Sequence, residues 1–191
     1  MIILGVDPGT IITGFGIIEV ERGKYSVLTY NVVKNSSDDS MPIRLKRIYD
    51  RICEIINHYH PDEFAIETAF YGKNAQSALK IGHARGVSIL AAVNYKIPTA
   101  EDSPREVKKA ITGNGAASKQ QVQYMVQTQL KLRETPEYFD ASDALAVAIC
   151  HSFRITGGKA TSRRTRRTAS KSHRSWTDFI HSHPERVVRK K

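Results

Sequence analysis

Residues 2–16, Ile-Ile-Leu-Gly-Val-Asp-Pro-Gly-Thr-Ile-Ile-Thr-Gly-Phe-Gly, govern how the rest of the chain is read. Apolar residues run from Ile2 to Val6 without polar alternation, which predicts a strand buried on both faces at the centre of a sheet. The run ends in one carboxylate, Asp7. Pro8-Gly9 follows at once, and a second strand begins near Thr13. An acid at the end of a central strand stands at the rim of the sheet, where clefts form. Gly9 and Gly14 would let backbone lie close to whatever approaches there. Asp-Pro-Gly is also ordinary turn chemistry, so this stretch alone leaves both a structural and a chemical role open for Asp7.

The chain of 191 residues has room for one domain with a core of its own plus an appendage. Its net charge of +10 is unevenly placed. Of the 29 basic and 19 acidic side chains, 11 and 2 fall from Thr156 onward, leaving 18 and 17 in residues 1–155. The expected organisation is therefore a nearly neutral folded domain over 1–155 and a basic, disordered tail over 156–191, interrupted by the apolar Trp176, Phe179 and Ile180. Global charge gives no argument that the body binds nucleic acid; local placement must supply it. No run reaches the roughly 18 apolar residues of a membrane span, so no membrane partner is expected. The N-terminus enters a strand directly, without a basic segment or cleavage site, and a cytoplasmic location is expected. Cys53 and Cys150 are far apart and read as core residues of a reducing compartment.

Beyond the first strand, Thr13–Val20 and Tyr25–Lys34 are β-rich runs joined by a turn containing Gly23. Pro42 opens a helix whose Ile43, Leu45, Ile48, Ile52, Ile55 and Ile56 form an apolar stripe. His58 and His60, at its end, suggest a metal site less readily than two exposed side chains. Asp62–Glu67 repeats the first strand's design, with Phe64, Ala65 and Ile66 rising to Glu67. A loop carrying Phe70 and Tyr71 leads to Asn74, the cap of a helix over 75–95. Gly82, Ala84, Gly86, Ala91 and Ala92 keep that helix thin, suited to close packing by the domain or by a second copy. A short strand is predicted over Ile97–Ala100. Helices follow from Ser103-Pro104 to about Thr112 and from Ser118 to Leu132, the latter with Lys119 in its first turn, where a cation opposes the macrodipole. The last helix begins at Asp140, and Asp143 lies on the same side one turn later. Acids there also serve as caps, so these two are ambiguous in isolation.

Together the segments place Asp7, Glu67, Asp140 and Asp143 at one rim, provided the first and fourth strands run parallel, as a β-helix-β crossover requires. Four such carboxylates repel one another unless a cation joins them. An all-oxygen set matches Mg²⁺, with Mn²⁺ as a substitute. Two such ions about 4 Å apart suit hydrolysis of a phosphodiester.

Five stretches carry a resemblance: Ile-Leu-Gly-Val-Asp-Pro-Gly-Thr around Asp7; Phe-Ala-Ile-Glu and Phe-Tyr-Gly-Lys-Asn around Glu67; residues 77–87; residues 105–113; and Asp-Ala-Ser-Asp-Ala-Leu-Ala-Val-Ala at 140–148. In this order across 1–155 the sequence resembles the RuvC family of bacterial Holliday-junction resolvases. The resemblance implies an α/β, ribonuclease H-like fold: a mixed five-stranded sheet, its first three strands antiparallel and the rest in β-α-β crossovers, flanked by helices. It implies that Asp7, Glu67, Asp140 and Asp143 are the metal-binding catalytic acids, with two Mg²⁺ per site. It implies that Phe70 stacks on an unpaired base of four-way junction DNA, that Lys73 contacts DNA, and that Lys108 and Lys119 meet the backbone near the scissile phosphate. A homodimer through the thin helix and a branch-migration motor, RuvA and RuvB, are the implied partners. The tail is longer and more basic than the resemblance leads one to expect, and non-specific DNA affinity is its expected contribution.

Three rivals share parts of this pattern. Another ribonuclease H-like nuclease, acting on RNA–DNA hybrids or in transposition, would keep the acids without the Phe70 loop. An actin- or sugar-kinase-like ATPase shares Asp-x-Gly-Thr but needs a duplicated domain. A non-catalytic junction-binding protein would have no reason to line its site with four acids.

Overall fold

The structure is a computed structural model that describes residues 1–68 and 75–161, with the helical backbone alone over 157–161. Strands β1 (Ile2–Asp7), β2 (Ile12–Glu21), β3 (Lys24–Lys34), β4 (Glu63–Glu67) and β5 (Thr99–Asp102) form one sheet in the order β3-β2-β1-β4-β5. β1, β2 and β3 pair antiparallel, whereas β4 and β5 join in parallel, so β1 is central, as its unbroken apolar run predicts. The β2–β3 turn places Arg22 and Gly23 both at positive φ, 50° and 78°, the geometry of a two-residue primed hairpin.

Side-chain alternation divides the core. Leu4, Val6, Ile17, Phe64 and Ile66 face helices α1 (Met41–Tyr59) and α2 (Ala75–Asn94). Ile3, Ile18 and Ala65 face α3 (Pro104–Thr112), α4 (Lys119–Leu130) and α5 (Phe139–Thr161). Of the stripe on α1, Ile48, Ile52, Ile55 and Ile56 are buried, but Ile43, in the first turn, is half exposed. Helices α3 and α4 both begin with a capping box, Ser103 with Glu106 and Ser118 with Gln121.

Two boundaries differ from expectation. β5 lies later than Ile97–Ala100, because Ile97 N–H donates to the Ala92 carbonyl to close the end of α2, and Pro98 has no N–H to offer. The paired residues are Thr99, Ala100, Glu101 and Asp102, at the edge of the sheet. Helical backbone in α5 continues to Thr161, past Thr156, where the basic tail was expected to begin. Trp176, Phe179 and Ile180 lie outside the described residues.

Candidate active site

Parallel pairing from Ile3↔Glu63 to Val6↔Ile66 brings the ends of β1 and β4 level. Asp7 and Glu67 therefore stand side by side at one rim, on the face that also carries Ile3 and Ala65. The helix packed on that face is α5, and glycines set how closely it packs. A Cβ at Gly5 would collide with the Ala144 carbonyl, one at Gly14 with the Asp140 carbonyl, and one at Gly16 with the Leu145 side chain. Gly14 is paired with Asp7 across the β1–β2 ladder. The first turn of α5 thus sits directly above the Asp7–Gly14 pair and brings Asp140 and Asp143 to Asp7. What approaches the backbone at Gly14 is the protein's own helix, which fills the space. At Gly9 a Cβ would meet the Ile12 carbonyl, a contact internal to the turn.

The electrostatics are those of carboxylates forced together. Burial, then Glu67, Asp143 and Asp140, push the Asp7 carboxyl well above its ordinary range. Glu67 is pushed up to about 7 by burial and by Asp143, against the pull of Lys119 and Lys108. Asp143 is raised by burial, while its ion pair with Lys119 (Nζ to Oδ2, 3.0 Å) opposes the rise. Burial lowers the Lys119 ammonium, but Asp143, Asp7 and Asp140 outweigh it and the net shift is upward. The cation at the N-terminus of α4 is thereby explained: neighbouring acids hold it against the helix dipole.

The structure therefore brings together Asp7, Glu67, Asp140, Asp143 and Lys119, with Lys108 of α3 close enough to act on Glu67 and Asp143. Phe70 and Lys73 lie outside the described residues. His60 caps α1 in the left-handed conformation and His58 meets the Tyr59 ring edge-on. Cys150 is buried, with its thiol pushed up to about 12 by burial and by Asp102, which suits a core residue.

Among the described residues, no three Asp, Glu, His or Cys side chains close around a point as a finished metal cage. The donor chemistry nonetheless fits a hard divalent cation, since every acid of the cluster offers oxygen. Their mutual repulsion is the kind of charge that such a cation relieves.

One residue of this neighbourhood escaped the sequence reading. Asp102 ends β5 in register with Glu67, so a third parallel strand also rises to an acid. Placing the strand too early hid it. Asp102 is fully buried, and its Oδ1 accepts a 2.5 Å hydrogen bond from Arg154 Nη1 on α5. The Asp102 carbonyl accepts from Thr68 N–H at 2.9 Å, which ties down the backbone next to Glu67.

Against known proteins, the model of the family described as crossover junction endodeoxyribonuclease RuvC matches residues 3–151. A protein of that name from Desulforamulus reducens is 51% identical over 152 residues, covering 80% of this chain and 93% of the relative. One from Chloroherpeton thalassium is 43% identical over 189 residues, covering 99% of this chain and all of the relative. The second alignment runs through the C-terminal segment, whereas the first leaves a fifth of this chain unmatched. Among solved structures, T. thermophilus RuvC in complex with Holliday junction substrate superposes with a TM-score of 0.78 at 34% identity, over 83% of this chain and 96% of that one.

Proposed function

The chain belongs to the RuvC family of crossover junction endodeoxyribonucleases, and from that premise we propose that it resolves four-way DNA junctions with Asp7, Glu67, Asp140 and Asp143 as its metal-holding catalytic acids. The observation that carries this reading is the convergence of carboxylates from β1, β4 and α5 in a site whose burial, with their mutual repulsion added, raises Asp7, Glu67 and Asp143 together. Binding DNA gives no reason to gather negative charge; cutting it with divalent cations does.

Asp7, Glu67, Asp140 and Asp143 would hold two Mg²⁺ ions, or Mn²⁺ in their place, which would supply activation of water and stabilisation of the leaving oxygen. The chain's own residues do the rest. Asp7 and Glu67 come from strands fixed in register, so their separation is held by the sheet. Asp140 and Asp143 are held by a helix seated on glycines. Lys108 and Lys119 bring positive charge to a phosphate that the acids alone would repel. Phe70 stacks on an unpaired base at the junction centre, and Lys73 adds a DNA contact.

A homodimer fits a substrate that needs two symmetric nicks. Helix α2 supports an interface: Ala84, Ser88, Ala91 and Ala92 pack inward, while Leu79, Leu90 and Val93 are more than half exposed. A Cβ at Gly82 or Gly86 would meet nothing within 4 Å, so these glycines are not needed for packing within the subunit. By family resemblance the motor partners are RuvA and RuvB. A cytoplasmic working compartment suits an enzyme of junction DNA; no helix among the described residues is long and apolar enough to cross a membrane.

The test is a nicking assay on a synthetic four-way junction with a short homologous core, with and without Mg²⁺, with Glu67→Gln beside the wild type. Paired symmetric nicks that require metal, and fall at least about a hundredfold in the variant while junction binding persists, are expected. Cutting of an RNA–DNA hybrid with no cutting of any junction would overturn the substrate.

A further inference from the structure

The turn between α3 and α4 forms a pocket of about 240 Å³ lined by Thr112, Asn114, Ala117, Gln121, Tyr124 and Met125. None of these side chains is charged, so the pocket is poorly suited to a bare phosphate, which wants Arg or Lys. Its polar groups are fixed in one sense. Asn114 Oδ1 accepts from Ala116 N–H at 3.0 Å, and Gln121 Oε1 accepts from Ser118 N–H at 2.9 Å. A backbone N–H can be met only by oxygen, so each amide has its carbonyl turned inward and its NH₂ left as a donor. The Thr112 hydroxyl is already engaged by Lys108 and Asn114 backbone groups. Beside these donors lies the Tyr124 ring, 67% exposed although large and aromatic. Two oriented amide donors next to an open ring present the chemistry of a nucleobase, its acceptor edge to the amides and its face to the ring.

The pocket's position links it to the proposed reaction. α4 begins at Lys119, whose ammonium pairs with Asp143. On the same flank Gln123 Nε2 donates to Ser142 Oγ on α5. Gln121, Tyr124 and Met125 occupy the other flank of the same helix, within two turns of Lys119. The pocket and the acid cluster thus share α4, with Lys119 at its start turned to the acids and Gln121, Tyr124 and Met125 lining the pocket.

We propose that this pocket receives a base flanking the cut and is a determinant of which junction sequences are cleaved: Tyr124 stacks on the base, and Asn114 Nδ2 and Gln121 Nε2 donate to its acceptor atoms. The assignment rests on the junction-cutting function proposed above.

The experiment offers full-length protein a pool of four-way junctions with a randomised homologous core and sequences the cut ends. Wild type, Tyr124→Phe, Tyr124→Ala and Asn114→Asp are compared. Tyr124→Phe keeps the ring and cuts with the wild-type sequence distribution. Tyr124→Ala loses roughly tenfold on the best cores, the scale of one lost stacking contact, and little on the worst, so the distribution flattens. Asn114→Asp keeps the oxygen that accepts from Ala116 N–H but exchanges the donor for an acceptor, and shifts the favoured base at one core position. Asn114→Ser, which also keeps an acceptor, replaces it if that variant does not fold. Distributions unchanged in Tyr124→Ala and Asn114→Asp, or a fall equal at every core, overturn the assignment and leave the nuclease standing. A wild type that cuts no junction removes both.

Discussion

Glu67 and Asp102 end neighbouring parallel strands as register partners, and both are largely removed from water, yet they live in opposite electrostatic worlds. Asp102, the more deeply buried, has a guanidinium against it, 2.5 Å away. Glu67 is pushed up to about 7 by burial first and then by Asp143. Burial alone therefore does not mark a functional acid. What separates the two is how each charge is met: Arg154 bonds Asp102 directly, whereas at Glu67 burial and Asp143 outweigh the pull of Lys119 and Lys108. Asp102 stabilises the sheet edge beside the site; Glu67 is held at the expense of stability, as groups reserved for a ligand often are.

The largest way to break the contrast is Arg154→Gln. It strands a buried carboxylate, and a loss of about 3 kcal/mol is expected in denaturant unfolding. If stability is unchanged, Asp102 is not held by this pair. Glu67→Gln should do the reverse in metal-free protein at about pH 8, raising stability by about 1–2 kcal/mol as the cost of a buried charge and its repulsion by Asp143 are relieved. That variant would then be more stable but inactive, a signature that a merely structural acid would not give.

A pH series sharpens the same point. The ordinary value for Glu67 is 4.5 and the folded value about 7, so between them the folded state binds more protons than the unfolded state. The stability of metal-free protein should fall as pH rises through that window and then level off. Thermal unfolding at about pH 5.5 and about pH 8 checks the sign, and Mg²⁺ added at the higher pH should recover part of the loss. A rise in stability with pH across this range would mean that the acids are not coupled as described. The smallest expected effect is the control, Lys46→Ala. Its pair with Asp50 is 2.5 Å long, but the side chains are 76% and 46% exposed, so less than about 0.5 kcal/mol should be lost.

Much of this was legible in the sequence because it was written locally. The runs into Asp7 and Glu67 give both the strands and the acids at their ends, and Pro, Ser and Gly mark most helix boundaries. Contacts distant in sequence left no local mark. Arg154 and Asp102 are 52 residues apart, and neither pattern nor spacing pairs them. Asp102 was further obscured because Ile97, apolar enough to suggest a strand, is spent closing α2. Gly14 was noticed for its smallness, but nothing along the chain says that the body filling its space is α5. The sequence resemblance supplied Lys108, whose influence on Glu67 comes from across the fold.

The seating of α5 on Gly5, Gly14 and Gly16 has a consequence for how variation in this protein would sort. A methyl group at Gly14 pushes on the carbonyl of Asp140 itself, so the harm falls on the aim of the acids before it falls on the core. In a genetic screen for inactive protein that still accumulates in the cell, such glycine variants would be recovered alongside changes to the carboxylates. A map of that phenotype would trace the footprint of the helix onto the sheet, and silent, side-chain-free positions would appear on it as if they took part in the chemistry.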